Sequence, residues 1–256
     1  MTGQISPYYF KNDLSDFYTH IEVVTDNIAL SGEALDKSLE NSKYYVTNNK
    51  KEVSIFKNNM EALFKKASPL INIYRVENIK EFNEVIKTKN ISHNILYNLP
   101  LYTIILDLLN EILDKNKVSK EKGEMIVKYY MKLKSEVEKY LENDTLLDEI
   151  SLISKNEFET KDIGLSLSII FYDKKIVYSY EDYVKHYKQT DIFKKEHKNY
   201  TYKINNQGFK NINIHFTTDK NVIISKENIP SIHFLIYHPK LVEGVSDFSF
   251  ILKENK

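Results

Sequence analysis

The chain has 256 residues, and its 36 basic and 36 acidic side chains give a formal net charge of zero. It has no cysteine, which excludes a disulfide framework, a thiolate metal site and a cysteine nucleophile. Its six glycines are never closely spaced, which excludes a Walker phosphate loop, a dinucleotide-binding turn and a G-x-S-x-G nucleophile elbow.

Composition and periodicity change near residue 150. Residues 1–149 show mainly helical spacing of apolar side chains, whereas residues 150–256 show short alternations of β-branched and aromatic residues. The sequence therefore predicts an α+β protein, with a helical N-terminal region that contains a long helical hairpin and a mainly antiparallel β-sheet in the C-terminal region.

The predicted hairpin has arms at about 13–47 and 51–67. Its first arm shows alternating three-and-four spacing, which is typical of a coiled coil and gives the partner-binding residues that we predict: Leu14, Phe17, Ile21, Val24 and Ile28. The alternative is that the helices pack into a bundle within one chain. This alternative is open because the heptad pattern does not continue over the three or four heptads that indicate a coiled coil.

Further along the chain, the pattern predicts a strand at 70–76 and a helix at 77–88. Asn98 is expected to cap a helix that begins at Pro100, and Ser119 to cap a second helix that runs to about residue 141.

The last hundred residues predict a meander of strands with one crossing helix at 181–188. Asn205 to Gly208 reads as a hairpin turn, and short links favour antiparallel pairing. The predicted strands are 150–154, 163–172, 175–180, 199–205, 209–217, 220–226, 231–238 and 246–252.

His93 is a candidate phosphoacceptor. It stands where an apolar helix is expected to begin, and LLDEISLIS closes the second helix about 60 residues later, a layout that resembles the phosphoacceptor hairpin of sensor histidine kinases. The resemblance implies phosphotransfer or dimerisation, although no ATP-binding boxes follow and Pro100 lies two places too late for that family. The alternative places His93 in the turn that starts a helix.

Glu159 and Lys161 form the E-x-K half of a metal-dependent nuclease site, for which Asp148 or Glu149 would supply the earlier carboxylate. The segment before Glu159 is polar, whereas such a motif normally ends an apolar strand. No set of histidines and carboxylates has recognisable ligand spacing, so we predict no metal site and no cofactor.

The C-terminal region is rich in tyrosine, and we predict that Tyr200 and Tyr202 belong to a second partner-binding surface. A platform for single-stranded nucleic acid is the less favoured interpretation. The leading hypothesis is a non-enzymatic protein that binds a protein partner or associates with itself.

Two alternatives remain open, a magnesium-dependent enzyme that acts on nucleic acid and a membrane-active helical protein. The apolar run from Ile95 to Leu109 is shorter than the roughly 20 residues of a spanning helix. We expect no membrane span, no secretory signal and a cytoplasmic location.

Overall fold

The computed structural model describes residues 5–10, 19–33, 43–167, 175–205, 209–226 and 230–254. The chain forms two compact units, Thr2–Leu70 and Ile71–Lys256. Helices and strands occur in both, so the coarse α+β prediction is confirmed.

The N-terminal unit contains a three-stranded antiparallel sheet in the order β2-β3-β4, one helix, and a two-stranded pair of β1 with β5. Its elements are β1 (Tyr8–Tyr9), β2 (Thr19–Val24), β3 (Ala29–Glu33), β4 (Lys43–Thr47), α1 (Lys50–Phe64) and β5 (Ser68–Pro69).

Helix α1 begins where a side chain replaces a missing backbone partner. The Asn49 side chain accepts a hydrogen bond from the backbone N–H of Lys51, which satisfies one of the free donors of the first turn. Glu52 in that turn accepts hydrogen bonds from Tyr45 and Thr47 of β4. These contacts hold α1 against one face of the small sheet.

The first arm of the predicted helical hairpin is wrong where the structure describes it, because residues 19–33 and 43–47 contain strands rather than a helix. The β-branched run Thr19–Val24 suits a strand. The Thr25 hydroxyl then bonds both the backbone N–H and the carbonyl of Ile28 and closes the turn between β2 and β3. The second arm is a helix, α1, as predicted.

The larger unit is built on one seven-stranded sheet in the order β6-β12-β11-β10-β7-β8-β9. Neighbouring strands are parallel in the β7–β8 and β8–β9 pairs and antiparallel in the others. The strands are β6 (Ile71–Tyr74), β7 (Ile91–Leu96), β8 (Leu146–Ile150), β9 (Tyr200–Ile204), β10 (Ile212–Thr217), β11 (Val222–Lys226) and β12 (Ile232–Ile236).

Helices cover both faces of this sheet. The first face packs against α2, α4 and α6, and the second face packs against apolar residues near the start of α7. The helices are α2 (Ile79–Ile86), α3 (Leu106–Lys115), α4 (Lys120–Leu141), α5 (Lys155–Thr160), α6 (Tyr180–Glu196) and α7 (Pro239–Glu254).

Several predicted elements of the larger unit are confirmed. These are the strand at 70–76, the helix at 77–88, the helix after Ser119, the helix at 181–188, and four of the strands between 199 and 238. The helix expected to begin at Pro100 begins at Leu106 instead, after a short 3-10 turn at Leu101–Thr103.

Other expectations are corrected. The segment 246–252 belongs to α7, because the three-and-four spacing of Leu241, Val242 and Val245 lets that helix pack on the sheet. The strand predicted at 150–154 is β8, which begins earlier, at Leu146, and ends at Ile150.

The predicted hairpin at Asn205 to Gly208 is also wrong, since β9 pairs in parallel with β8 while β10 lies between β7 and β11. The sheet is therefore mixed. Both pairs formed by β8 are parallel, and the other four pairs are antiparallel. The composition change near residue 150 falls inside this sheet, and the compact units divide between Leu70 and Ile71.

Within the described ranges, no helix is both long enough and apolar enough to cross a membrane.

Candidate functional site

A cavity of about 1020 Å³ opens in the larger unit between α2 and α4. Its floor is formed by strands β7 and β10, and the turn after β7 closes one side. This size is at the upper end of the range for small-molecule sites, which are mostly apolar with a few well-placed polar groups.

The floor carries a hydrogen-bonded row of polar side chains. Asn94 on β7 lies directly opposite Asp148 on β8 and His215 on β10, so all three project from the same face of the sheet. Asn94 Nδ2 donates to Asp148 Oδ1 at 2.8 Å, and Nδ1 of His215 lies 2.7 Å from Asn94 Oδ1. We call these three residues the relay.

Two tyrosines complete the environment of Asp148. The hydroxyls of Tyr102 and Tyr200 both donate to Asp148 Oδ2, the latter at 2.7 Å. Asp148 is fully buried, and burial raises the pKa of its carboxyl although the three donors oppose that rise. Burial raises the pKa of Tyr200 far above its ordinary value, and the negative charge of Asp148 contributes a smaller rise. This hydroxyl therefore stays protonated and donates.

His215 ends the relay at the cavity. The residue is half-buried and lines the cavity, and burial of its imidazole lowers the pKa to about 4. His215 is therefore neutral at pH 7.

The walls above the relay are apolar and the rim is charged. Leu99, Leu101, Leu133 and Val137 provide hydrocarbon surface, and lysines and glutamates of α2 and α4 surround the opening. The Asn83 side-chain oxygen is the exception in the wall, since it is buried and has no hydrogen-bond partner within the described part of the chain.

A second buried network positions the turn that carries Tyr102. His186 on α6 lies 3.0 Å from the Thr103 hydroxyl through Nε2 and 2.7 Å from the Tyr178 hydroxyl through Nδ1. Thr103 in turn donates to the carbonyl of Pro100 at 2.9 Å. Burial lowers the pKa of His186 to about 3, so the network is held by neutral hydrogen bonds.

His93 lies in β7 and not at the start of a helix, so the predicted phosphoacceptor arrangement is wrong. Its Nε2 lies 2.9 Å from Glu149 Oε1, and its ring stacks on Phe216 on the sheet face opposite the relay. Glu149 also accepts a hydrogen bond from Asn205. The contact between His93 and Glu149 joins β7 to β8.

The predicted E-x-K residues do not form a site with the earlier carboxylates. Glu159 and Lys161 are exposed at the end of α5, whereas Asp148 and Glu149 are buried in β8 and, as successive strand residues, point to opposite faces. In the described residues, no group of three or more histidine, aspartate or glutamate side chains is arranged to hold a metal ion.

The predicted partner-binding residues are dispersed. Leu14 and Phe17 lie outside the described residues, Ile21 and Val24 belong to β2, and Ile28 is exposed in the turn that follows. In the larger unit, Tyr200 is 2% exposed and serves the relay. Tyr202 is half-buried and donates to Asp191.

The small sheet has an exposed apolar face of its own. Ile21 and Val23 of β2 align through β3 with Tyr44 and Val46 of β4, and the four side chains are 39%, 46%, 60% and 64% exposed. Tyr45, on the other face, contacts Phe56 of α1. We call the side away from α1 the outer face.

Sequence analysis does not identify the relay, although the polar residues that form it are visible in the sequence. The strands ISHNIL, LLDEI and INIHFT each contain polar residues within a short apolar run. Such residues must find partners when the strand is buried, but their spacing does not reveal which strands pair.

A comparison of the chain with protein-family models, with curated proteins and with solved structures finds no significant match.

Proposed function

We propose that the larger unit binds a small organic molecule in the cavity between α2 and α4. The observation that carries this proposal is the relay at the base of an apolar cavity of about 1020 Å³. A large apolar pocket with a few convergent polar groups of shifted pKa is the arrangement expected of a binding site.

The free-energy cost of burying the polar side chains of the relay supports the same proposal. Asp148 needs three donors from three separate segments to offset its burial, and Asn94 and His215 are held in turn. A well-packed apolar core is often as stable as such a buried polar arrangement, so a role in ligand recognition accounts for it better than stability does.

The test is ligand screening by ligand-observed NMR against three proteins. Val137→Trp places a large side chain in the cavity, and Met131→Trp places the same side chain on an exposed part of the same helix. Ligands that bind the wild-type protein are expected to bind Met131→Trp equally and Val137→Trp at least tenfold more weakly. Equal binding to Val137→Trp would place the ligand elsewhere and overturn the proposal.

A second function, self-association through the outer face of the small sheet, is supported by the exposure of Ile21, Val23, Tyr44 and Val46. Contiguous exposed apolar surface is typical of interaction sites, and a second copy can cover it with the identical, self-complementary surface. This retains the predicted assembly role and moves it from a helical hairpin to a sheet.

Sedimentation of Val46→Lys against Ile55→Lys tests this second function. Ile55 is 59% exposed on α1, away from the outer face. We expect the wild-type protein and Ile55→Lys to form dimers at micromolar concentration and Val46→Lys to remain monomeric. A wild-type protein that is monomeric throughout would remove the proposal.

The other two hypotheses receive less support. The nuclease proposal loses its carboxylate pair, since Glu159 is exposed at the end of α5, whereas Asp148 and Glu149 are buried in β8. The membrane-active proposal requires a continuous helix, whereas Ile95 and Leu96 belong to a strand and Leu109 is fully buried in α3.

A further inference from the structure

The orientation of the Asn94 amide is determined by Asp148. Tyr102 and Tyr200 donate to Asp148 Oδ2, so Oδ1 is the atom that faces Asn94. A carboxylate oxygen accepts and cannot donate, which requires Nδ2 of Asn94 to point toward it. The opposite orientation would bring two acceptors within 2.8 Å of each other.

The tautomer of His215 follows from the orientation of Asn94. Because Nδ2 faces Asp148, Oδ1 is the atom 2.7 Å from His215 Nδ1, and this short contact requires Nδ1 to carry the proton. Burial keeps the imidazole neutral at pH 7, since its pKa is lowered to about 4. A neutral ring has one proton only, so Nε2 carries a lone pair.

That lone pair is available to a ligand. His215 is a half-buried residue that lines the cavity. Its hydrogen bond to Asn94 uses Nδ1, and Nε2 is not one of the buried polar atoms without a partner in the described residues. An occupant without a donor would remove water from Nε2 of His215 and return no hydrogen bond.

We infer that the cavity selects organic ligands that bring an N–H or O–H donor to Nε2 of His215, and that Asp148 is the positioning residue that sets this selectivity. The inference rests on the proposed binding function and deepens it by naming the ligand chemistry: an apolar or aromatic body with a neutral hydrogen-bond donor, such as a hydroxyl or an N–H heterocycle.

Asp148→Asn provides a test because it is expected to invert the relay. The hydroxyls of Tyr102 and Tyr200 still need an acceptor, so the new amide oxygen takes the position of Oδ2 and its NH₂ group faces Asn94. Asn94 must then turn its oxygen toward residue 148 and its NH₂ group toward His215. Nδ1 of His215 becomes the acceptor, and the proton moves to Nε2.

The first measurement is the tautomer of His215 in the ¹⁵N-labelled full-length protein at pH 7, read from long-range ¹H–¹⁵N couplings of the ring. We expect Nδ1–H in the wild-type protein and Nε2–H in Asp148→Asn. Asp107→Asn is the matched control, because it makes the same substitution at an exposed position of α3 outside the cavity, and it is expected to keep Nδ1–H. A wild-type Nε2–H tautomer overturns the inference even if Asp148→Asn does not fold.

The second measurement compares two probes of nearly equal shape, indole, which has an N–H donor, and benzofuran, which has an oxygen in its place. The wild-type protein and Asp107→Asn are expected to bind indole at least tenfold more tightly than benzofuran, and Asp148→Asn is expected to lose or reverse that preference. Equal binding of the probes to the wild-type protein overturns the selectivity and leaves the proposed binding function standing. Failure of both probes to bind overturns the inferred ligand class, an aromatic body with one donor, whereas the ligand screen decides the proposed binding function separately.

Discussion

Three histidines of the larger unit have lowered pKa values. Burial lowers the pKa of His186 to about 3 and those of His215 and His233 to about 4, whereas an unfolded chain titrates its histidines near 6.5. As the pH falls below 6.5, the unfolded chain therefore binds protons that the folded chain does not bind. The stability contributed by the neutral rings is fully present above pH 6.5 and is lost as the pH falls toward 4.

His186→Gln is expected to weaken this pH dependence. One fewer proton is taken up on unfolding, so the slope of unfolding free energy against pH falls by about 1.4 kcal/mol per pH unit between pH 6 and pH 4.5. Urea denaturation across that range measures it. Tyr178→Phe is the control, since it removes a hydrogen bond from the same ring and should lower stability while keeping the slope. An unchanged slope in His186→Gln would contradict the expectation.

At the scale of single residues, the sequence shows which positions are unusual but not which of them meet. Asn94, Asp148 and His215 are recognisable as polar residues in apolar strands, yet the relay depends on the register of β7 with β8 and β10. The sequence singles out His93, because the apolar run after it favours a helix when sheet pairing is not known.

At the scale of elements, an ion pair between a half-exposed lysine and a buried aspartate joins α3 to α6. Lys115 Nζ lies 2.8 and 3.0 Å from the carboxylate oxygens of Asp182, whose side chain is only 1% exposed. Ser179 also donates to this carboxylate, and Lys185 is farther away at 3.7 Å. Asp182 therefore depends mainly on Lys115 for a compensating charge.

Lys115→Met is expected to lower the unfolding free energy more than a change at an exposed pair does, because the buried carboxylate of Asp182 loses its nearest charged donor. Lys132→Met is the matched control, since its ion pair with Glu136 is more than half exposed and such pairs contribute about 0–1 kcal/mol. Urea denaturation at pH 7 compares the two. Equal losses of unfolding free energy would show that the Lys115–Asp182 pair contributes no more than the Lys132–Glu136 pair.

A helix with a clear apolar stripe could be predicted from local sequence alone, and α4 is an example. Ser119 occupies the position before its first turn as predicted, but its side chain makes no capping hydrogen bond there. The segment that contains Ile21 could not be predicted in this way, because its apolar residues satisfy both helical spacing and strand alternation over so short a run. The deciding features are the Thr25 turn and the pairing of β2 with β3, and pairing is a non-local property.

At the scale of the whole molecule, each compact unit has its own sheet and its own buried side chains. Val53 is 4% exposed in the N-terminal unit, and Phe82 is fully buried in the larger unit, where it stacks on His233. We therefore expect each unit to unfold as a cooperative unit of its own.

Phe82→Ala is expected to destabilise only the larger unit, by about 3–5 kcal/mol, and Val53→Ala only the N-terminal unit, by about 1–3 kcal/mol. Denaturant titration followed by backbone NMR signals assigns each loss to its unit. A single transition in which both variants shift all signals together would contradict this division.

The division between Leu70 and Ile71 could not be predicted from composition. The change near residue 150 marks the point where α3 and α4 give way to a β-rich segment, yet strands from both sides of that point enter one sheet. A difference in local content does not separate domains when strands distant in sequence pair with one another.

The pairing of β6 with β12 has a consequence for synthesis of the chain. Tyr74 lies opposite His233, so the first strand of the large sheet is made early and finds its neighbour only after residue 233 has been translated. At about 5–20 residues per second, that delay is roughly ten to thirty seconds. During that interval the nascent chain exposes the unpaired backbone of β6, which makes this strand the segment most in need of a chaperone on the ribosome.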